Sequence, residues 1–142
     1  MRALHHLIIV LLIGMTATSY AILGGNKIDI NSDELVIDKE QMRSSFKGNV
    51  VVYFDEYKLT TSELIVHYSK QQNIKSIIIP TPLKLIKKCG SEIVIADKAI
   101  YEPASNELSL IGNVLVNKDE HILKTQKVIY YTKLKTKLTD AK

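Results

Sequence analysis

Phe46-Lys47-Gly48-Asn49-Val50-Val51-Val52 returns, 64 positions later, as Leu110-Ile111-Gly112-Asn113-Val114-Leu115-Val116. The register runs outward without a gap. Downstream, Asp55-Glu56 returns as Asp119-Glu120, Leu59 as Leu123 and Thr61 as Thr125. Upstream, Ile30 falls on Val94, Asp33 on Asp97 and Ile37 on Tyr101. Such an internal duplication implies similar structural units packed side by side rather than one asymmetric pocket.

Each copy also repeats within itself. Ser32–Ile37, Thr61–Val66, Ala96–Tyr101 and Thr125–Tyr130 align, with an apolar residue two places before each: Ile30, Leu59, Val94 and Leu123. Val, Ile, Leu, Tyr and Thr dominate these segments. No stretch keeps a helical apolar period over three turns. The expected fold class is all-β, with short strands near 28–31, 33–38, 43–47, 49–54, 57–61, 63–68, 74–79, 83–87, 91–95, 97–102, 106–111, 113–117, 121–125, 127–132 and 133–138. Many short strands with close turn signals fit a sandwich, a barrel or a solenoid.

The two copies, about 28–79 and 92–138, meet at Pro80-Thr81-Pro82. Proline lacks a ladder donor, so this step marks a connection or an edge. Its flanks are too apolar for a flexible linker, so one domain over 22–142 is expected. Each Gly-Asn step joins one expected strand to the next. Glycine permits positive φ and asparagine tolerates it, so a tight bend or bulge is expected there.

Met1-Arg2, the apolar run Leu7–Ile13 and Ser19-Tyr20-Ala21 read as a signal peptide over residues 1–21, hence as export. The run is short for a bilayer span. An uncleaved anchor over residues 4–23 is the alternative. The lone Cys89 excludes an internal disulfide.

A net charge of +4 is mild, and the only arginines are Arg2 and Arg43. No base-stacking motif accompanies them, so nucleic acid is not the expected partner. Lys133-Leu134-Lys135-Thr136-Lys137-Leu138 alternates as a strand with one cationic face. That face suits edge protection, or attraction to an acidic partner or lipid phosphate. His67 and His121 form no metal-ligand spacing, and no cofactor motif is visible. The acidic pairs Asp55-Glu56 and Asp119-Glu120 recur, in expected turns. Paired carboxylates serve glycosidases, so a carbohydrate-active β-solenoid is the competing class. Yet an active site should break a repeat, and these residues follow it. No enzymatic activity is expected.

Several strands are apolar on both faces: Val50-Val51-Val52, Leu64-Ile65-Val66 and Ile77-Ile78-Ile79. A one-sided antiparallel strand alternates instead. The second dry face calls for a subunit contact or an apolar ligand, unless some of these side chains simply face water.

Phe46-x-Gly48-Asn49-Val50-x-Val52 with Leu59-x-Thr61-Ser62-Glu63, and Ala96-Asp97-Lys98-Ala99-Ile100-Tyr101 leading through Asn106-x-Leu108 to Gly112-Asn113-Val114-x-Val116, resemble the OstA-like domain of lipopolysaccharide transport proteins. The resemblance covers nearly all of the chain after residue 21 and is strongest to the periplasmic bridge members of that family. It implies a β-jellyroll, an antiparallel sheet folded into a V with an apolar groove. It implies lipopolysaccharide as ligand, LptC-like and LptD-like partners and end-to-end self-association, with no cofactor. An uncleaved N-terminus would instead resemble the membrane-anchored LptC-like component. Groove candidates are the equivalent apolar positions Val36, Ile65, Ile100 and Ile129, with Val50, Val52, Leu59, Val114, Val116 and Leu123. The sequence leaves open which of them face lipid and which only pack. The first copy departs from the pattern by ending in Ile37 where the second has Tyr101.

Overall fold

The structure is a computed structural model that describes residues 19–23 and 26–131, with side chains from residue 28 onward. The expected strand 133–138 lies outside the described residues, as does most of the expected signal segment. Among the described residues eleven strands form one sheet: β1 (Ser19–Leu23), β2 (Asn26–Asn31), β3 (Glu34–Asp38), β4 (Arg43–Phe54), β5 (Tyr57–Tyr68), β6 (Ile74–Ile79), β7 (Leu83–Lys87), β8 (Glu92–Ala96), β9 (Lys98–Glu102), β10 (Glu107–Lys118) and β11 (His121–Tyr131). All strand pairings are antiparallel. This is the β-jellyroll that the resemblance implies, and it removes the solenoid reading of the strand pattern.

The duplication is an identity of register. Ile30 pairs Val52 as Val94 pairs Val116, and Leu35 pairs Phe46 as Ala99 pairs Leu110. Phe46 pairs Leu64 as Leu110 pairs Val128. Strands β6 and β7 join the copies by pairing β5 of the first with β9 and β8 of the second. Pro80-Thr81-Pro82 is the break between them.

Four strands are longer than the sequence suggests. The segments read as 43–47 and 49–54 are one strand, β4, and 106–111 with 113–117 are one strand, β10. β5 and β11 unite two expected segments each. The Gly-Asn steps are bulges inside continuous strands, with register shifts between Lys47 and Val50 and between Ile111 and Val114. An extra residue at a bulge bends the strand without ending its ladder. Here the bend folds the sheet into two leaves that share the four long strands. One half of each long strand pairs within the first leaf, with β3, β6 and β9. The other half pairs within the second leaf, with β1, β2, β7 and β8.

Between the leaves lies the core. Val50, Val94 and Leu110 are fully buried, and Ile30, Phe46, Leu64, Val66 and Val114 nearly so. Each such side chain contributes about 1.5–3 kcal/mol relative to exposure. Strand β1 crosses the expected cleavage point, pairing Ala21 with Ile28.

Candidate functional site: the inner face of the folded sheet

The fold of the V begins at two clasps. Gly48 has φ +79° and Asn49 has φ 45°; Gly112 and Asn113 repeat this at +86° and 45°. Asp33 N–H donates to the Gly48 carbonyl at 2.9 Å, and Asn49 Nδ2 donates to the Asp33 carboxylate at 2.8 Å. Asp97, Gly112 and Asn113 make the same two bonds, both at 2.9 Å. A Cβ on Gly48 would stand 2.8 Å from Asp33 Oδ2, and one on Gly112 2.6 Å from Asp97 Oδ2. Both backbone conformation and space therefore demand glycine at these steps.

The partner strand bends by a different means. β5 spends three steps from Thr61 to Leu64 where β4 spends four from Val50 to Phe46. Its inward-facing residues thus change parity: Leu59 and Thr61 before the bend, Leu64 and Val66 after it. Thr81 caps this point. Its hydroxyl lies 2.7 Å from that of Thr61 and accepts the Glu63 N–H at 3.1 Å. A side chain from the junction thus satisfies a ladder donor at the bend.

Cross-strand pairs share a face, so register sorts the candidate residues. Val52, Leu59, Val116 and Leu123 fall in one inward row of the second leaf: Ile30–Val52–Leu59–Leu85–Val94–Val116–Leu123. Val50 and Val114 face inward beside the bends and are 0% and 1% exposed. The row is closed in its middle, where Val52, Leu59, Leu85 and Val94 are buried, and opens at β11, where Leu123 is 58% exposed.

The other four candidates lie on the opposite face. Val36–Ser45–Ile65–Ile78–Ile100–Ser109–Ile129 is a single row along the outside of the first leaf. Val36 and Ile129 are exposed, and Ile65 and Ile100 are half-buried. The sequence repeat placed these four at equivalent positions, and the structure keeps them equivalent, but outside the V.

A polar contact crosses the interior. Tyr130 on the first leaf donates its hydroxyl to Glu92 of the second at 3.1 Å. Glu92 is itself buried. Burial first, then the Glu92 charge and the hydrogen bond, push the Tyr130 phenol up to about 12. Tyr57 is raised for the same leading reason, with Glu92 next. Nothing in the pattern of the chain singled out Glu92: its counterpart 64 positions earlier is Ile28, so it breaks the repeat.

The acidic pairs occupy two-residue hairpin turns, with Asp55 and Asp119 at φ 49° and 47°. Glu56 meets Lys87 at 3.7 Å. Among the described residues no group of three or more His, Cys, Asp or Glu is arranged to hold a metal. The chemistry on offer is apolar shelter with a polar strut.

Comparisons with known proteins agree with this architecture. The chain is 36% identical over 110 residues to the uncharacterized protein RP507 of Rickettsia prowazekii (strain Madrid E), covering 75% of this chain and 76% of that one. Its fold is similar to that of LptH from Pseudomonas aeruginosa, described as the LptA-homologous periplasmic component of the conserved lipopolysaccharide transport device. The TM-score is 0.64 at 20% identity, covering 79% of this chain and 80% of that one. Residues 29–136 match the family described as LptA/(LptD N-terminal domain) LPS transport protein. The chain belongs to that family of lipopolysaccharide transport proteins.

Proposed function

We propose that this protein is a non-catalytic periplasmic carrier that shelters the acyl chains of lipopolysaccharide along the inner face of its V. Aligned end to end, copies would carry the lipid from the inner towards the outer membrane, meeting LptC-like and LptD-like components at the two ends. The observation that carries this reading is the inward row from Ile30 to Leu123. It crosses seven strands with an apolar side chain at every one. At the usual strand spacing it spans about 29 Å. Burial of a dozen methylenes at ~0.8 kcal/mol each would supply about 10 kcal/mol. In the closed fold the leaves shelter each other's apolar side chains. An acyl chain would enter from the open end at Leu123 and replace leaf–leaf contact by leaf–lipid contact.

Self-association has a backbone rationale. β5 of the first copy pairs β6 and β7 along its far edge, whereas its counterpart β11 pairs only β10 among the described strands. At the other end β3 pairs only β4 among the described strands. An edge that accepts strands within the chain could accept them from the next chain.

Titrating the purified exported protein with lipid A tests the carrier role. Saturable binding that is lost on replacing Val116 and Leu123 with aspartate is expected. Absence of binding by the wild type ends the proposal. The strand β1, which runs through Ala21, favours a second reading in which the N-terminal segment is kept as an LptC-like anchor. The mass of the exported chain decides, since a start at Ile22 eliminates the anchor.

A further inference from the structure

The outer face of the second leaf differs from that of the first. Register places Ile86, Ile93, Ile95, Leu115 and Ile122 together on it. Ile95 is 43% exposed and Ile122 is 64% exposed. Lys58, Lys84 and Lys124 lie in the same two outward rows. Among the described residues none of these lysines has a carboxylate partner, and the ion pair there is Lys87–Glu56. From β5 to β11 the face carries no acid. Acids lie beyond this stretch, at Asp29 on β2 and on the hairpin turns Asp55-Glu56 and Asp119-Glu120. The outer face of the first leaf is unlike it: Glu34–Lys47–Glu63 alternate in sign beside the apolar row.

We propose that this lysine-framed aliphatic face rests on the surface of an anionic lipid bilayer. Exposed apolar clusters with a polar rim mark interaction sites. Here the rim fixes the sign of the partner. A second copy presenting the same face would meet lysine with lysine. The C-terminal residues 132–142 carry four lysines against one aspartate, so they are repelled too. Anionic headgroups would neutralise the lysines, while the isoleucines settle at the acyl boundary, as amphipathic surfaces do. The proposal concerns the outside of the V and does not rest on the carrier reading.

Vesicle co-sedimentation of the purified exported protein tests it, using phosphatidylcholine alone and phosphatidylcholine with about one quarter phosphatidylglycerol. Binding should require the anionic lipid and weaken as salt rises. Lys84→Glu with Lys124→Glu should weaken it at least about tenfold. Ile95→Ser with Ile122→Ser should do likewise, while both pairs leave lipid A binding and the circular dichroism spectrum unchanged. No sedimentation with anionic vesicles, equal sedimentation with neutral ones, or indifference to both variant pairs would overturn the proposal.

Discussion

Asn49 reaches back across sixteen residues to hydrogen-bond Asp33 at 2.8 Å, and Asn113 does the same to Asp97 at 2.9 Å. Each bond ties the break between two short strands, β2 and β3 or β8 and β9, to the bulge of the long strand beside them, so the bend of the V is held by side chains as well as by ladder geometry. Asp33→Ala or Asp97→Ala should each cost about 1 kcal/mol, the usual worth of one hydrogen bond. Gly48→Ala and Gly112→Ala should cost more, about 2 kcal/mol, because positive φ and the approach of the carboxylate oppose a Cβ together. Urea unfolding measures all four. Equal stability of Gly48→Ala and wild type would show that the bend is set elsewhere.

Tyr130 supplies a pH-dependent contribution. Its phenol is held up to about 12, against 10 for a free tyrosine, so the folded chain keeps the proton more tightly than the unfolded chain does. The stability from this contact is complete below pH 10 and is lost as pH rises towards 12. Tyr57 shifts in the same direction and adds to the same loss. Thermal unfolding followed from pH 8 upward should show a decline above pH 10 that is shallower in Tyr130→Phe. At neutral pH the Phe variant should lose about 1 kcal/mol, since the buried Glu92 side chain loses that hydrogen-bond donor. An identical alkaline slope in the two proteins would contradict the assignment.

Much of this fold was legible because the repeat is written in backbone-determining residues. Gly48-Asn49 and Gly112-Asn113 announced their bulges, and Asp33 and Asp97 were visible as a repeated pair. What the pair does was not, because a hydrogen bond across sixteen residues has no local signature. Strand continuity was missed for a related reason: a bulge and a strand break carry the same turn residues. The faces were harder still. Between Thr61 and Leu64 the inward parity switches, so Leu59 and Ile65, though both odd-numbered, point to opposite sides of the sheet. Glu92 breaks the repeat and Thr81 lies outside it, and their partners Tyr130 and Glu63 come close only after the leaves fold.

Assembly should be open-ended. Among the described strands β11 and β3 are each paired on one side only, and they belong to different ends of the chain, so a contact between them is heterologous and does not close at two copies. Sedimentation velocity across a concentration series should show mass growing beyond a dimer without a plateau. A monomer at every concentration, or a population that stops at two, would refute strand addition as the mode of contact.

Site-specific capture separates the two faces that the sequence could not. Val116 and Leu123 stand at the open end of the inward row, whereas Val36 and Ile129 belong to the outward row of the first leaf. All four are apolar and at least partly exposed, so accessibility alone would not discriminate among them. If acyl chains occupy the V, photo-crosslinkers at Val116 and Leu123 should capture lipopolysaccharide, and those at Val36 and Ile129 should capture at least about tenfold less. A crosslinker at the fully buried Leu110 is a poor test. Enlarging that side chain overpacks the core at about 1–3 kcal/mol and disturbs the leaves it is meant to report on. Capture at Ile129 equal to that at Leu123 would place the lipid on the outside of the sheet, and the inner face would then serve only as the core.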